Sequence, residues 1–255
     1  MSKLWIFLLA VAAVVLVVFF TKPPASKKIE TKEEIKSVMP ENILKTSDGV
    51  KIAYDLYEVA NAKKWFVLVH MMPATKESWA DFTKFAQGRG YASIAIDLRG
   101  HGQSEGGPDG YENFSDADHQ KSIADIAAAV DYLKTTGATP DKIQFIGASI
   151  GANLVLKFIV EHSEFKKATL LSPGFNYKGI ETLPLVEKLV AGQGVWFVAA
   201  EDDERAGGNA GVMAKQLYEA TPSNVERRGT VFEKGGHGTD ILKEVKELAA
   251  KIVEF

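Results

Sequence analysis

The chain of 255 residues contains no cysteine, only nine prolines and five histidines. Without cysteine, a disulfide-stabilised secreted fold is excluded, and so is lipidation of a lipoprotein cysteine. No two histidines stand four residues apart. With no thiolate to help, nothing suggests a transition-metal site, and the expectation is a protein working with no metal and no cofactor. Charge of one sign is also missing: 30 Lys and Arg against 33 Asp and Glu leave a net charge of -3. That balance carries no basic bias toward nucleic acid. Repeats and low-complexity blocks are absent too. What remains, 46% hydrophobic residues over 255 positions, is enough for one α/β domain with a sizeable core.

Within that domain the most informative stretch is Lys142 to Ile159, KIQFIGASIGANLVLKFI. A buried-strand pattern runs into Gly-Ala-Ser-Ile-Gly and then directly into a helix. A serine hydroxyl is a poor nucleophile unless a sharp turn exposes it beside a base. Gly147 and Gly151 flank Ser149, and without side chains they let the helix pack close behind the turn. A base and an acid are then needed, and both follow in the chain. The apolar run Val195 to Ala200 ends in Glu201, Asp202, Asp203 and Glu204. His237 stands in GGHGTDIL, after the strand-like Gly229 to Glu233 and before a final amphipathic helix. The order Ser, acid, His, each at a strand's carboxyl end, differs from the trypsin-like and subtilisin-like orders.

On these motifs the chain from about Asn42 onward resembles an α/β-hydrolase fold enzyme of the serine esterase, lysophospholipase or thioesterase kind. Two further segments carry the resemblance. The strand Trp65 to Val69 runs into His70, Met71, Met72 and Pro73, similar to the family's His-Gly-x-Pro loop, and DLRGHGQS (Asp97 to Ser104) is similar to its Asp-x-Arg-Gly-x-Gly-x-Ser turn. The resemblance implies a catalytic triad of Ser149, Asp203 and His237, with Asp202 the alternative acid. It also implies an oxyanion hole from the backbone N–H groups of Met72 and Ile150. Met71 departs from the family pattern, which has glycine there. His101 stays outside the catalytic set, His70 is expected to brace the loop, and His119 and His162 are expected at the surface.

The implied fold is a mostly parallel twisted sheet flanked by helices, with little or no cap, because only Phe175 to Gly194 stands where a lid is often inserted. The substrate pocket is therefore expected to be open. Its expected lining is Met71, Trp79 and Phe175, with Met72, Ile150, Tyr177 and Leu183 contributing if the loops converge. Such an apolar pocket favours a carboxylic ester of short or medium acyl chain, or a lysolipid-like ester, as the small-molecule substrate. A thioesterase or acyltransferase would use the same residues, and a catalytically silent binding module on the same fold is the non-enzyme alternative.

The amino terminus reads differently. Leu4 to Phe20 is an unbroken apolar run, close to the roughly 20 residues needed to cross a bilayer. It is longer than a usual signal-peptide core, and its last residues, Phe19 and Phe20, abut Thr21, Lys22, Pro23 and Pro24 rather than small residues. The expected organisation is residues 1–21 as a transmembrane signal anchor, with a cleaved signal peptide as alternative, 22–41 as a charged linker, and 42–255 as the catalytic domain. The domain is expected outside the cytoplasmic membrane, although Lys22, Lys27, Lys28, Lys32 and Lys36 pull toward a cytoplasmic orientation. Oligomeric state has no signal in the chain.

Overall fold

Strands buried on both faces cannot alternate polar and apolar residues, so they appear as continuous apolar runs. In the computed structural model, which describes residues 42–205 and 207–255, those runs form the centre of one eight-stranded sheet. Its strands are β1 (Ile43–Lys45), β2 (Lys51–Tyr57), β3 (Trp65–Val69), β4 (Ala92–Ile96), β5 (Ile143–Ala148), β6 (Lys167–Leu171), β9 (Gly194–Ala200) and β12 (Glu226–Phe232). The spatial order is β1-β2-β4-β3-β5-β6-β9-β12. The first two strands join antiparallel, and every pairing from β4 to β12 is parallel. Two short hairpins complete the strands: β7 (Asn176–Tyr177) with β8 (Ile180–Glu181), and β10 (Glu204–Arg205) with β11 (Gly208–Asn209).

The helices are α1 (Ala80–Gln87), α2 (Asp116–Gln120), α3 (Ile123–Thr135), α4 (Ile150–Glu161), α5 (Leu183–Val186), α6 (Ala210–Ala220), α7 (Asp240–Glu244) and α8 (Leu248–Glu254). They cover both faces of the sheet, and successive strand residues divide between two apolar clusters. Val67, Val69, Phe145, Phe197 and Ala199 pack with α3, α4 and α6. Phe66, Leu68, Ile146, Trp196 and Val198 pack with α1, α7 and α8. Three differences from the sequence reading concern element ends. The stretch from Ser115 to Gly137, whose apolar stripe Ile123, Ile126, Ala127, Val130 and Leu133 predicts one long helix, is two helices: Ser115 caps α2 with a capping box, and tight i to i+3 bonds at Lys121 and Ser122 separate it from α3. The final helix is likewise broken at Val245 to Glu247. The last strand begins three residues early, because Glu226 to Arg228 pair with Gly194 to Trp196 although their side chains are polar.

The predicted anchor (1–21) and linker (22–41) lie outside the described residues. Among the described residues, no helix is long and apolar enough to cross a membrane.

The turn between β5 and α4 explains why both glycines are needed. A Cβ on Gly147 would overlap the Gly151 carbonyl group, and a Cβ on Gly151 would stand 2.6 Å from the His70 carbonyl oxygen and nearer still to that of Val69. Both obstacles are backbone, one in the first turn of α4 and the other at the end of β3, and cannot rotate away. Gly151→Ala should therefore cost about 3 kcal/mol, the upper range for overpacking. For a domain of this size that lowers the melting temperature by roughly 6–12 °C in a circular dichroism melt. An unchanged melt would mean the helix is not held that close to the end of β3.

Candidate active site

Ser149 sits at the β5–α4 turn with φ 54 and ψ -119, a backbone conformation that L-residues rarely adopt. The tight turn keeps the strand and helix close-packed and holds Ser149, 8% exposed, at the carboxyl end of β5. Strain of this kind costs on the order of 1–3 kcal/mol and persists where surrounding structure over-determines it. Here that structure is the Ser149 N–H donating to the Leu171 carbonyl at 2.8 Å, while its own carbonyl accepts from Ala152 and Asn153 in the first turn of α4.

The strands β5, β9 and β12 lie parallel, so the loops leaving their carboxyl ends share one edge of the sheet. Two of these loops bring Asp203 and His237 together: the imidazole Nδ1 lies 2.7 Å from a carboxylate oxygen of Asp203. The other carboxylate oxygen accepts from Arg205 Nε at 3.1 Å. Asp203 is 2% exposed and His237 7%. Burial pushes the Asp203 carboxyl up, but hydrogen bonding with His237, Ser172 and Arg205 outweighs it, leaving the group below the ordinary aspartate value. Asp203 is thus ionised and suited to hold one imidazole tautomer. Among the described residues Ser149 Oγ and His237 Nε2 make no hydrogen bond, and such bonds are often long until substrate is bound.

Asp202, the alternative acid, does something else. One of its carboxylate oxygens accepts from the N–H groups of Gly235 and Gly236, each at 3.0 Å. It pins the loop that carries His237 and does not touch the imidazole. Ser172 was not singled out in the sequence, yet its hydroxyl accepts from the Gly238 N–H at 2.9 Å on the other side of that histidine. Its φ of 49 marks a second tight exit from a strand end. The Ser-Pro pair directly after β6 was the available signal.

The loop after β3 comes against the same edge. His70 is fully buried, and its Nε2 accepts from the Leu98 N–H at 2.9 Å. The proton is therefore on Nδ1, which donates to the Met71 carbonyl at 2.9 Å. Burial, with a smaller contribution from His101, pushes His70 down to about 3, which keeps the ring neutral. Met71 is not among the residues of positive φ, so methionine fits where the resemblance led one to look for glycine. The N–H groups of Met72 and Ile150 donate to no acceptor among the described residues.

The expected lining residues separate into two groups. Met71 lies half-buried against Gly238, next to His237, and Phe175 is half-buried at the edge of the α3–α4–α6 cluster. Trp79 requires a correction: it is 0% exposed and packs edge-on against Phe82 in the other core cluster, so it fills the sheet–α1 interface and offers no surface to a ligand. His119 is likewise buried against Phe114 and is not a surface residue. The span Phe175 to Gly194 carries no large helical cap, only the β7–β8 hairpin and the four-residue α5, and the hairpin sets Tyr177 near Ser149. The signal was Asn-Tyr-Lys-Gly: Lys178 and Gly179 both take positive φ, and Asn176 accepts from the Gly179 N–H at 2.8 Å. Two surface grooves of about 540 Å³ each lie elsewhere, one between α6 and β12 and one near Glu58 and Lys142. Neither contains a strained serine or a paired histidine, so size alone does not locate the chemistry. Among the described residues no group of three His, Asp or Glu side chains could hold a metal ion.

The family profile described as serine aminopeptidase, S33 (Hydrolase_4) matches residues 60–199, more than half of the chain. The chain belongs to this family of α/β-hydrolases. The match includes the loop after β3, the DLRGHGQS turn and the nucleophile elbow; it ends just before Asp203 and does not reach His237. Relatives agree with it. The chain is 32% identical over 129 residues to a bifunctional esterase/perhydrolase of Acinetobacter calcoaceticus, covering 50% of this chain and 42% of that protein. It is 29% identical over 137 residues to a non-heme chloroperoxidase of Kitasatospora aureofaciens, covering 51% and 43%. The aligned stretches thus span less than half of either relative. Among solved structures, an esterase from Exiguobacterium antarcticum superposes with a TM-score of 0.66 at 17% identity, over 84% of this chain and 98% of the other. An esterase of Pyrococcus furiosus does so with 0.67 at 17% identity, over 84% and 87%. At such identities these structures speak for the shared α/β-hydrolase fold.

Proposed function

We propose that this α/β-hydrolase is a serine esterase that cleaves small carboxylic esters of short to medium acyl chain through an acyl-enzyme on Ser149. The observation that supports this most is the 2.7 Å Asp203–His237 pair on the same sheet edge as a serine in a strained backbone conformation. In this reading Ser149 Oγ attacks the ester carbon and passes its proton to His237 Nε2. The Asp203 carboxylate stabilises the resulting imidazolium. The carbonyl oxygen, now an oxyanion, receives the N–H groups of Met72 and Ile150. Collapse of the tetrahedral centre breaks the bond to the alkoxy oxygen, which leaves as the alcohol with the proton from His237. Water then attacks the acyl-enzyme by the same sequence, and the acid departs from Ser149.

A thioester substrate, or an alcohol replacing water as acyl acceptor, would use the same groups. For the amino terminus the proposal is a signal anchor over residues 1–21 that holds the domain outside the cytoplasmic membrane.

The test uses the full chain purified in mild detergent, with p-nitrophenyl esters from acetate to laurate, aminoacyl p-nitroanilides and a fluorophosphonate. The expected result is turnover of the esters, falling off as the acyl chain lengthens, with little turnover of the anilides and labelling confined to Ser149. A folded chain that neither labels nor turns over any ester would favour the silent binding module. Preferential cleavage of the anilides would move the assignment from ester to amide.

A further inference from the structure

Six buried side-chain polar atoms have no hydrogen-bond partner among the described residues, and one of them is the hydroxyl of Tyr177. Leaving a buried hydroxyl unpaired costs on the order of 1–3 kcal/mol, so its persistence calls for a reason. The surroundings of Tyr177 hold it in place. Asn153, fully buried in the first turn of α4, donates to the carbonyls of Gly174 and Ile180 at 3.0 Å each and accepts from the Gly174 N–H at 3.2 Å. Thr182 Oγ1 adds a 2.7 Å bond to the same Gly174 carbonyl. Gln120 Nε2 donates to the Lys178 carbonyl at the hairpin tip, at 3.0 Å. The phenol ring lies directly on Gly174, where a Cβ would stand 2.6 Å from a ring carbon and nearer still to the carbon bearing the hydroxyl. Asn153 of the nucleophile's own helix and Gln120 of α2 therefore fasten the hairpin, and the hairpin sets the Tyr177 phenol over Gly174 on the Ser149 side, with its hydroxyl near Ser149 and bonded to no partner.

We propose that Tyr177 Oη is a substrate-contacting donor of this site, giving its O–H to an oxygen of the ester bound at Ser149. The proposal rests on the esterase reading and adds to it a donor from a side chain, on the hairpin that stands where relatives often carry a lid. The oxygen served is either the carbonyl-side oxygen or the alkoxy oxygen of the leaving group. Both accept a hydrogen bond and both gain negative charge as the tetrahedral centre forms and collapses. Tyr177 keeps its proton throughout: burial, then the Asp203 charge, push the phenol above its ordinary value, so it stays a neutral donor over the working pH range.

Tyr177→Phe keeps the ring on Gly174 and removes only the hydroxyl. For the full chain, kcat on p-nitrophenyl butyrate and on ethyl butyrate is expected to fall about tenfold, with KM within about twofold, as for one hydrogen bond stronger in the transition state than in the ground state. The melting temperature should stay level or rise, because an unpaired buried polar atom is gone. A merely structural hydroxyl would show the reverse, a lower melting temperature with unchanged kcat. A loss confined to ethyl butyrate, whose leaving group is poor, assigns the hydroxyl to the alkoxy oxygen; an equal loss on both assigns it to the carbonyl side. If wild type turns over these esters and Tyr177→Phe matches it within twofold, the Tyr177 proposal is overturned and the esterase reading stands. If wild type neither labels with fluorophosphonate nor turns over, both fall together.

Discussion

Replacing Ser149 with alanine should remove about 10⁵-fold of kcat on p-nitrophenyl butyrate, roughly 7 kcal/mol of transition-state stabilisation, and abolish fluorophosphonate labelling. The size follows from the division of labour in the proposed mechanism. Without the hydroxyl there is no acyl-enzyme, and His237 has only water to activate, across a gap shaped for a bound oxygen. What remains would come from the N–H groups of Met72 and Ile150 and from substrate positioning alone. Because the three groups act as a unit, adding His237→Ala to Ser149→Ala should cost little more than either alone. Retention of more than about one per cent of activity in Ser149→Ala would place the nucleophile elsewhere in the chain.

The same position offers an independent readout. At φ 54 and ψ -119 alanine suffers the strain that serine does, so Ser149→Ala is close to neutral for stability. Ser149→Gly relieves it. The gain is reduced by the greater freedom of glycine in the unfolded chain, leaving about 1 kcal/mol, or roughly 2–4 °C in melting temperature. A variant that is inactive yet more stable than wild type marks backbone strain kept for the geometry of the site.

Much of this arrangement was legible in the chain because the relevant signals are local. The elbow is five consecutive residues whose glycines are dictated by backbone contacts, and the central strands are apolar runs that only a doubly covered parallel sheet accommodates. The parts that were not legible depend on distant pairing. Trp79 has the composition of a pocket wall, but whether its ring faces a ligand or the core is decided by the way the helical turn at Lys76–Trp79 meets α1 and Phe66, over several loops. The hairpin over Ser149 consists of two-residue strands, too short for any alternation to appear, and it is held by Asn153, a residue that in the sequence is simply one polar position in an apolar helix. Ser172 matters only because the sheet brings the end of β6 beside the loop of His237, whereas Arg205 reaches Asp203 from two residues away in the chain. The apolar amino-terminal run was read from composition alone and lies beyond the described residues.

The choice between the two neighbouring aspartates is the sharpest case, because loop geometry separates what one residue of sequence cannot. Asp203→Asn should lower kcat about 10³- to 10⁴-fold with the fold intact, since an amide can bond the imidazole in the wrong tautomer and no longer stabilises the imidazolium. Asp202→Asn keeps a carbonyl oxygen for the Gly235 and Gly236 N–H groups and should leave kcat within about threefold. Asp202→Ala, with no acceptor there, should loosen the histidine loop and lower the melting temperature modestly, as water replaces the carboxylate at that exposed position. The pH dependence separates the pair again. The Asp203 carboxyl is held below its ordinary value in the folded chain, so its contribution to stability is fully present above the unfolded-state value of about 3.9 and is lost as pH falls through the folded-state value. The stability gap between wild type and Asp203→Asn should therefore be constant from pH 7 to 5 and narrow below pH 4 in parallel denaturant titrations. A gap that persisted undiminished in acid would mean that the ionised Asp203 carboxylate is not what the pair contributes to stability. Equal losses of kcat in Asp202→Asn and Asp203→Asn would mean that the acid's role is shared between the two loops.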